Sequence, residues 1–414
     1  MTDPASAELD RGVAVAGRGG STEKARVAIV VTHPIQHFVP FYRGLSLQPD
    51  LDLCVFFGSR VGLDEYFDVE MNASFKWEMD LTSGYRHVFL PGAERIKSSS
   101  FFEMNNASVT RALKDFAPDV LVLYGYSTVM TLWTIAIALM RRTPILMISD
   151  SELLRGRAAT VGGLKRWVLP WLARCVAGIL TVGDNNEAYW ASFGAPASKM
   201  FRTPFTIDEA VYRQVREERA ARRQAVRASL GIAAEEVVFL TVGKLSKRKC
   251  PADVVAALRL ARSAAPMRVM FAGDGDQRAE LEREVGAAGL PVTILGFVNV
   301  NRLPDVYAAA DVLVHPSASD PHPLVFSESA CIGLPIISSD RVGAIGPTDV
   351  GRLGENALVY PFGDVERLAA IMSDLADDPG RRAEMGQASL RIFESQNLQA
   401  SIGGLRAAVR SVLG

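Results

Sequence analysis

Hydrophobic positions fall into two kinds of block that alternate along the chain. Short, nearly uninterrupted apolar runs such as RVAIVV, DVLVLYG and PILMIS are separated by longer stretches with a helical pattern. Continuous Val/Ile/Leu strands that alternate with helices are typical of a parallel sheet covered on both faces. The rhythm breaks near FRTPFTIDEAVYRQ and then resumes. The 414-residue chain is long enough for two sizeable cores, so the pattern predicts two α/β domains and a linker.

The pattern also sets the predicted boundaries. The first 25 or so residues are small, polar and glycine-rich and lack the apolar core of a signal peptide, which predicts a disordered tail at 1–25 and no export. Two Rossmann-like domains are predicted at 26–205 and 206–389, and residues 390–414 have a helical pattern. The longest apolar run, Val129 to Met140, is too short to span a bilayer of about 30 Å and is predicted to be a buried helix.

Composition excludes some classes of protein. The 45 basic and 46 acidic residues give a net charge of −1, so there is no electrostatic footprint for nucleic acid. The four cysteines are far apart and form no metal-ligand spacing, which fits reduced thiols in a cytosolic protein. No paired-aspartate motif follows a strand, and the sequence predicts no metal site.

The segment HPSASDPHPLVFSESACIG holds two carboxylates, Asp320 and Glu328, with seven residues between them. A strand-like run precedes the loop that carries Asp320, and a helix-like run begins near Pro323 and carries Glu328 in its second turn. Such a junction presents backbone N–H groups to a phosphate at the carboxyl edge of an open α/β sheet. The two acids could therefore contact different ends of one extended ligand, although many exposed helices carry such a pair without a function.

Three further motifs accompany this segment in order along the chain. VGKLSKRKC is a glycine-containing turn with four basic residues, FAGDGD is a Gly-Asp-Gly turn, and LGFVNVNRLPDVYAAADVLV precedes the acidic segment. Together, from about Val237 to Arg391, they resemble the retaining glycosyltransferases of family 4, also called glycosyl transferases group 1. The acidic pair resembles the family's E-x(7)-E pattern with Asp320 in place of the first Glu. The basic turn resembles G-R-L-x-x-x-K-G, with Lys244, Lys249 and Cys250 at the Arg, Lys and second Gly.

The resemblance implies a GT-B fold, in which two Rossmann-like domains face a central cleft and a C-terminal helix (390–414) crosses back to the first domain. It implies a nucleoside diphosphate sugar as donor. Fixed cations and helix N–H groups would stabilise the growing charge of the leaving diphosphate. The resemblance implies that Lys244 and Lys249 contact the diphosphate and that Asp320 contacts the reacting side of the sugar. Glu328 would bind the ribose, and the N–H groups of Leu324 and Val325 would bind the phosphates. Phe297 and Val298 would contact the base.

The first domain is expected to hold the acceptor. His33, Gln36 and His37, in THPIQHF, follow the first strand and should point to the cleft. Tyr124 stands where many relatives have a histidine. Asp150 and Glu152 end a later strand and either contact the acceptor or cap the following helix.

A stretch near residue 170 combines aromatic and basic side chains. Leu164, Trp167 and Trp171 share one predicted helix with Lys165, Arg166 and Arg174. Such a composition suits a helix that lies on an anionic membrane surface. The alternative is an ordinary helix packed against the sheet.

The expected activity is retaining, metal-independent transfer of a hexose from a nucleoside diphosphate sugar, with no further cofactor. A saccharide or a lipid-linked saccharide would be the acceptor, in surface polysaccharide or glycolipid synthesis. The expected location is the cytoplasm, with peripheral contact at the inner face of the membrane if the acceptor is lipid-linked. Two alternatives stay open: an epimerase or hydrolase of nucleotide sugars on the same fold, and a non-catalytic GT-B scaffold subunit.

Overall fold

The computed structural model describes residues 24–63, 66–68, 73–75, 79–154 and 163–414. Residues 1–23 of the tail predicted at 1–25 therefore lie outside the described residues, and the first strand begins at Ala25.

The first domain is built on a parallel sheet of seven strands. Its elements in chain order are β1 (Ala25–Val31), α1 (Val39–Ser46), β2 (Leu51–Phe57), β3 (Tyr66–Asp68), β4 (Ala73–Phe75), β5 (His87–Phe89), α2 (Val109–Phe116), β6 (Val120–Tyr124), α3 (Val129–Arg141), β7 (Ile145–Ser149), α4 (Gly163–Cys175), β8 (Gly178–Thr181), α5 (Asp184–Ser192) and β9 (Met200–Arg202). The strand order is β5-β2-β1-β6-β7-β8-β9, and β3 and β4 form a separate antiparallel pair.

The second domain repeats this plan with six parallel strands in the order β12-β11-β10-β13-β14-β15. Its elements are α6 (Glu209–Glu217), α7 (Arg219–Ser229), β10 (Val237–Val242), α8 (Pro251–Leu260), β11 (Met267–Ala272), α9 (Arg278–Ala288), β12 (Val292–Ile294), α10 (Leu303–Ala309), β13 (Val312–His315), α11 (Leu324–Ile332), β14 (Ile336–Ser339), β15 (Ala357–Tyr360), α12 (Val365–Asp377) and α13 (Pro379–Glu394). All six residues of β10 are buried, as expected for a strand covered on both faces. The predicted pair of parallel-sheet α/β domains is confirmed.

A last helix, α14 (Leu398–Leu413), packs against α1, β8 and β9 of the first domain. Its buried residues Ile402, Leu405 and Val409 join the core that β1 and α1 form. The boundary predicted at residue 389 falls inside α13, which still packs on α11 of the second domain. The chain changes domain a few residues later, between Glu394 and Leu398, because α13 continues its apolar face past that point.

The two domains meet where the loop after β14 reaches the amino end of α5. The buried carboxylate of Asp349 accepts a hydrogen bond from the Asp184 backbone amide, with Oδ1 2.9 Å from the nitrogen. The Asn185 side chain donates to the carbonyl of Gly343 over 2.8 Å. Arg202, at the end of β9, lies 3.0 Å from Asp349 and 2.6 Å from Asp184. A carboxyl group from one domain thus caps a helix of the other by accepting a hydrogen bond from its first amide.

Asp349 should make stability depend on pH. Burial, together with the nearby carboxylate of Asp184, raises the pKa of Asp349 to about 7, although hydrogen bonds from the Asp184 amide and Arg202 oppose the shift. An unfolded aspartate has a pKa of about 3.9, so the folded state binds the proton more tightly. This contribution to the free energy of unfolding is complete below about pH 4 and is lost as the pH rises through about 7.

The isosteric variant Asp349→Asn mimics the protonated form and tests this expectation. The Tm of the wild type should fall relative to that of the variant between pH 5 and pH 8, by roughly 2–4 °C for each kcal/mol. A difference in Tm that stays constant over this range would show that Asp349 is ionised throughout.

Candidate active site

The basic turn of the second domain follows the carboxyl end of β10. Gly243 has a φ of +129°, a conformation that favours glycine, and a Cβ on Gly273 would lie 1.8 Å from the Gly243 carbonyl oxygen, so the close approach of the two backbones needs glycine at Gly273. Lys244 follows at once and is half-buried. Farther along, the Arg248 carbonyl accepts a hydrogen bond from the Ala318 amide over 2.9 Å. The basic turn and the loop after β13 are therefore held together by their backbones.

Lys249 and Asp320, predicted as separate donor contacts, form an ion pair between Nζ and Oδ2. Their side chains are only 17% and 13% exposed. Burial favours the neutral acid, but the hydrogen bond from His315 and the charge of Lys249 hold the pKa of Asp320 well below its usual range. The carboxylate is thus ionised and oriented, with a cation directly beside it.

His315 is the third member of this group, and sequence reasoning did not single it out. It is the last residue of β13, and its Nε2 lies 3.1 Å from Asp320 Oδ2. Burial and the charge of Lys249 lower the pKa of His315, so the imidazole is neutral and must donate its Nε2 proton to the carboxylate. Its place at a strand end, five residues before Asp320, is the signal that could have found it.

The loop that carries Asp320 is fixed by backbone contacts. The Gly343 amide donates to the Asp320 carbonyl over 2.9 Å, and a Cβ at Gly343 would lie 2.0 Å from the carbonyl oxygen of Pro321. The same Gly343 accepts the hydrogen bond from Asn185 of the first domain. Docking of the domains and placement of the acid loop therefore share one segment of backbone.

Glu328 lies in the second turn of α11, which begins at Leu324 as the pattern predicts. The Tyr307 hydroxyl donates to its Oε2 over 2.6 Å, and Tyr212 donates a second hydrogen bond. Burial raises the pKa of Glu328, and the two tyrosine hydrogen bonds oppose that shift. The carboxylate is held rigidly, and the sequence identified neither tyrosine as a partner, because both reach it from other helices.

A cavity of about 220 Å³ opens beside Glu328 and draws its walls from both domains. Leu324, Val300 and Asn301 line it from the second domain, and Gln36 and His37 from the first. Val298 and Val325 are partly buried against the same core cluster as Leu324, and Phe297 is half-buried next to Val298. Of the predicted donor contacts, Glu328 and Leu324 therefore line this cavity, whereas Val298 and Val325 pack against the adjoining core.

The predicted acceptor residues separate into two groups. Gln36 and His37 line the 220 Å³ cavity beside Glu328, whereas His33, Tyr124 and Asp150 line a second cavity of about 720 Å³ in the first domain. Thr32 Oγ1 lies 2.9 Å from His33 Nδ1, and burial lowers the pKa of His33. Burial, and then the charge of Asp150, raise the pKa of Tyr124. Gln36 and His37 thus lie beside Glu328, the predicted ribose contact, rather than in the larger cavity.

His37 also takes part in an aromatic contact that joins the domains through the linker. Its ring centroid lies 5.0 Å from that of Phe205, which lies 5.4 Å from that of His322 in the second domain. Burial lowers the pKa of both histidines to about 4, so both rings are neutral at physiological pH. The linker hydroxyl of Thr206 donates to the His37 carbonyl over 2.6 Å. These contacts fix the part of the first domain that faces Glu328.

Within ranges 24–63, 66–68, 73–75, 79–154 and 163–414, no group of three or more His, Cys, Asp or Glu side chains could hold a metal ion. In the same part of the chain, no helix has both the length and the apolar character needed to cross a bilayer.

Two parallel-sheet domains that face a cleft, with loops from both at one cavity, define the GT-B class of fold. Solved structures with this architecture cover nearly the whole chain. HepE of Anabaena in complex with UDP superposes with a TM-score of 0.70 at 16% identity, over 94% of this chain and 100% of that one. WaaG, a glycosyltransferase involved in lipopolysaccharide biosynthesis, gives 0.62 at 17%, over 92% and 98%. The predicted GT-B fold is confirmed.

Sequence comparison adds the family. Residues 222–391 match the family model of the glycosyl transferases group 1, which confirms the resemblance drawn from the motifs of this region. The D-inositol 3-phosphate glycosyltransferase of Rhodococcus erythropolis is 32% identical over 200 residues, 45% of this chain and 44% of that protein. The alpha-D-kanosaminyltransferase of Streptomyces kanamyceticus is 27% identical over 229 residues, 54% and 57%. The chain thus matches only about half the length of these relatives.

Proposed function

We infer that the protein transfers a hexose from a nucleoside diphosphate sugar to a saccharide or lipid-linked saccharide acceptor. The observation that carries this proposal is that the Lys249–Asp320 ion pair lies just before α11 and Glu328 within it, inside the region that matches the family model. HepE binds UDP and UDP-glucose, which supports a nucleotide sugar as donor here.

The proposed chemistry uses groups of fixed charge. As the bond from the anomeric carbon to the diphosphate breaks, charge grows on the leaving oxygen, and Lys244, Lys249 and the free N–H groups of α11 stabilise it. An acceptor hydroxyl forms the new bond on the same face of the sugar and passes its proton to the leaving phosphate oxygen. This route retains configuration and needs neither a protein nucleophile nor a metal ion. Asp320, oriented by His315, would contact the reacting side of the sugar.

One observation favours a second candidate, a GT-B protein that binds nucleotide sugars without turnover. Lys249 and Asp320 form an ion pair, so each charge offsets the other. If the pair stays closed when donor binds, neither charge is available for catalysis. Donor binding without release of free nucleoside diphosphate, even when saccharide and lipid-linked acceptors are supplied, would identify this case, whereas release of free sugar without an acceptor would identify a hydrolase.

Nucleotide binding can be tested by thermal shift with UDP, GDP, ADP and CMP and their sugars, in the presence of EDTA. A ligand that binds only the native state raises Tm by mass action. Glu328→Gln keeps the size of the side chain but removes the charged acceptor, so the Kd of the preferred nucleotide should rise about 10- to 100-fold.

Glu384→Gln, an exposed change in α13, is the matched control and should leave the Kd unchanged. A shift that appears only with added Mg²⁺ would contradict metal independence. No shift with any nucleotide would contradict the donor site.

A further inference from the structure

The outer face of the first domain carries an apolar surface that faces solvent. On α3 the exposed side chains include Leu132, Trp133, Leu139 and Met140, with exposures of 48%, 45%, 41% and 74%. These positions recur at helical spacing, so they form one stripe opposite the residues that α3 buries against the sheet. A helix that covers a sheet normally turns charged residues to water, and the stripe on α3 has none before Arg141.

Helix α4 extends this surface. Trp167 and Trp171 are 79% and 49% exposed, on the side of α4 opposite buried Leu169 and Leu172. The predicted basic and aromatic stretch is therefore only partly packed against the sheet, since both tryptophans point outward. The side chains of Leu164 and Lys165 lie outside the described residues.

The loop before α2 completes the surface. Phe101 and Phe102 are 41% and 82% exposed, and the carbonyl of Phe101 accepts a hydrogen bond from the Val129 amide at the start of α3. We name the exposed apolar residues of α3, α4 and this loop the apolar face. Patches of this kind on soluble proteins mark contact with a partner or a membrane.

Charge decides which partner fits the apolar face. Neither α3 nor α4 contains an aspartate or a glutamate, whereas Arg141, Arg142, Arg166 and Arg174 are all exposed on or next to them. Aromatic side chains flanked by cations suit the interface of a bilayer, where the rings enter the head-group region and each cation gains about 1 kcal/mol from anionic lipid. The exposed arginines of the two helices would disfavour a second basic face, as in a symmetric dimer, although the loop carries exposed Glu103 beside Phe102.

The apolar face also borders the 720 Å³ cavity. Phe101, Leu132 and Val168 belong to both, and all three are exposed. On its inner side the same cavity is lined by half-buried Tyr124 and Asp150 and by buried Ser149. An amphiphile lying in a bilayer could therefore pass a polar head group inward without its apolar part leaving the lipid.

We propose that the apolar face docks the protein on an anionic lipid bilayer and that the 720 Å³ cavity receives the head group of a lipid-linked acceptor from it. The acceptor part rests on the proposed glycosyl transfer, whereas docking on lipid does not. The protein binds as a peripheral protein, through two surface helices and one loop.

Co-sedimentation with vesicles tests the docking step directly. Wild type should bind vesicles of phosphatidylcholine with phosphatidylglycerol, and bind vesicles of phosphatidylcholine alone much more weakly, with the difference reduced by salt. The variant Met140→Gln/Trp167→Gln/Trp171→Gln should lower the partition coefficient by at least about tenfold. Leu47→Gln, on the opposite face of the same domain, and Leu353→Gln, in the second domain, remove exposed apolar side chains elsewhere (82% and 69% exposed) and should bind as the wild type does.

Nucleotide thermal shifts on the same proteins keep the two proposals separate. A triple variant that keeps its nucleotide shift but loses vesicle binding supports docking and shows that the variant is folded. If nucleotide raises the Tm of the wild type but the wild type binds neither kind of vesicle, docking is overturned and the proposed transfer is unaffected. Vesicle binding without any nucleotide shift supports docking and counts against the transfer. A wild-type dimer that the triple variant converts to monomer in sedimentation equilibrium would overturn docking on lipid, since the face would then bind a second copy.

Discussion

Replacing Lys249 with methionine should lower the rate of nucleotide release from the donor by about 100- to 1000-fold, the usual loss when one fixed stabiliser of a leaving group is removed. Methionine keeps much of the length of the side chain, so the effect reports the charge. Lys247→Met is the matched control, because Lys247 is an exposed residue of the same turn. It should change the rate less than about threefold.

The ion pair with Asp320 requires a second variant, because Lys249→Met also leaves a poorly solvated carboxylate without its cation. Lys249→Met/Asp320→Asn removes both charges and should recover most of the lost Tm, while the rate stays low. Recovery of both Tm and rate would contradict a catalytic role and reduce the pair to a structural contact. Unchanged turnover in Lys249→Met alone would do the same.

Replacing Arg202 with methionine should cost about 3–5 kcal/mol in the free energy of unfolding, the usual penalty for breaking a buried ion pair from one side. Arg202 lies within 3.0 Å of three carboxylates, those of Asp184, Glu187 and Asp349, and its side chain is 23% exposed. Without it, Asp349 stays buried beside Asp184. The Tm should fall by roughly 10 °C.

Adding Asp349→Asn to Arg202→Met removes the most deeply buried of the three charges and should restore part of the lost Tm. Arg259→Met serves as control, because it breaks an ion pair of similar length, 2.9 Å from Glu284, on an exposed surface. Such pairs contribute about 0–1 kcal/mol. If Arg202→Met and Arg259→Met lowered Tm equally, the contacts of Arg202 between the domains would stabilise the fold no more than an exposed ion pair does.

The second domain could be predicted well from the sequence because its signals are local. Uninterrupted apolar strands, a glycine turn and the start of α11 are each set within a few residues. Cys250 shows how far such local inference extends. It stands where the resembling motif has glycine, and the structure gives it a φ of 49°, a left-handed conformation that glycine adopts without strain. The backbone of the motif persists although its residue has changed.

The contacts that complete the site could not be predicted, because they join residues distant in the chain. Tyr212 reaches Glu328 from another helix, and Asn185 binds the loop that carries Gly343 from the other domain. Gln36 and His37 line one cavity and His33 lines the other. This arrangement depends on the 3-10 helix over Gln36–Phe38, which turns the chain away from the end of β1. No periodic pattern encodes such a turn.

The position of α14 has a consequence for the order in which the protein is made. Seen along the chain, the second domain is an insertion between β9 and α14 of the first. Ile402, Leu405 and Val409 seal the core beneath β1 and α1, yet the ribosome adds them after every strand of the second domain. Domains generally fold as units during synthesis, with the amino-terminal one first. Here the domain that begins first is completed last, and until then the groove that α14 fills stays open to chaperones and to other nascent chains.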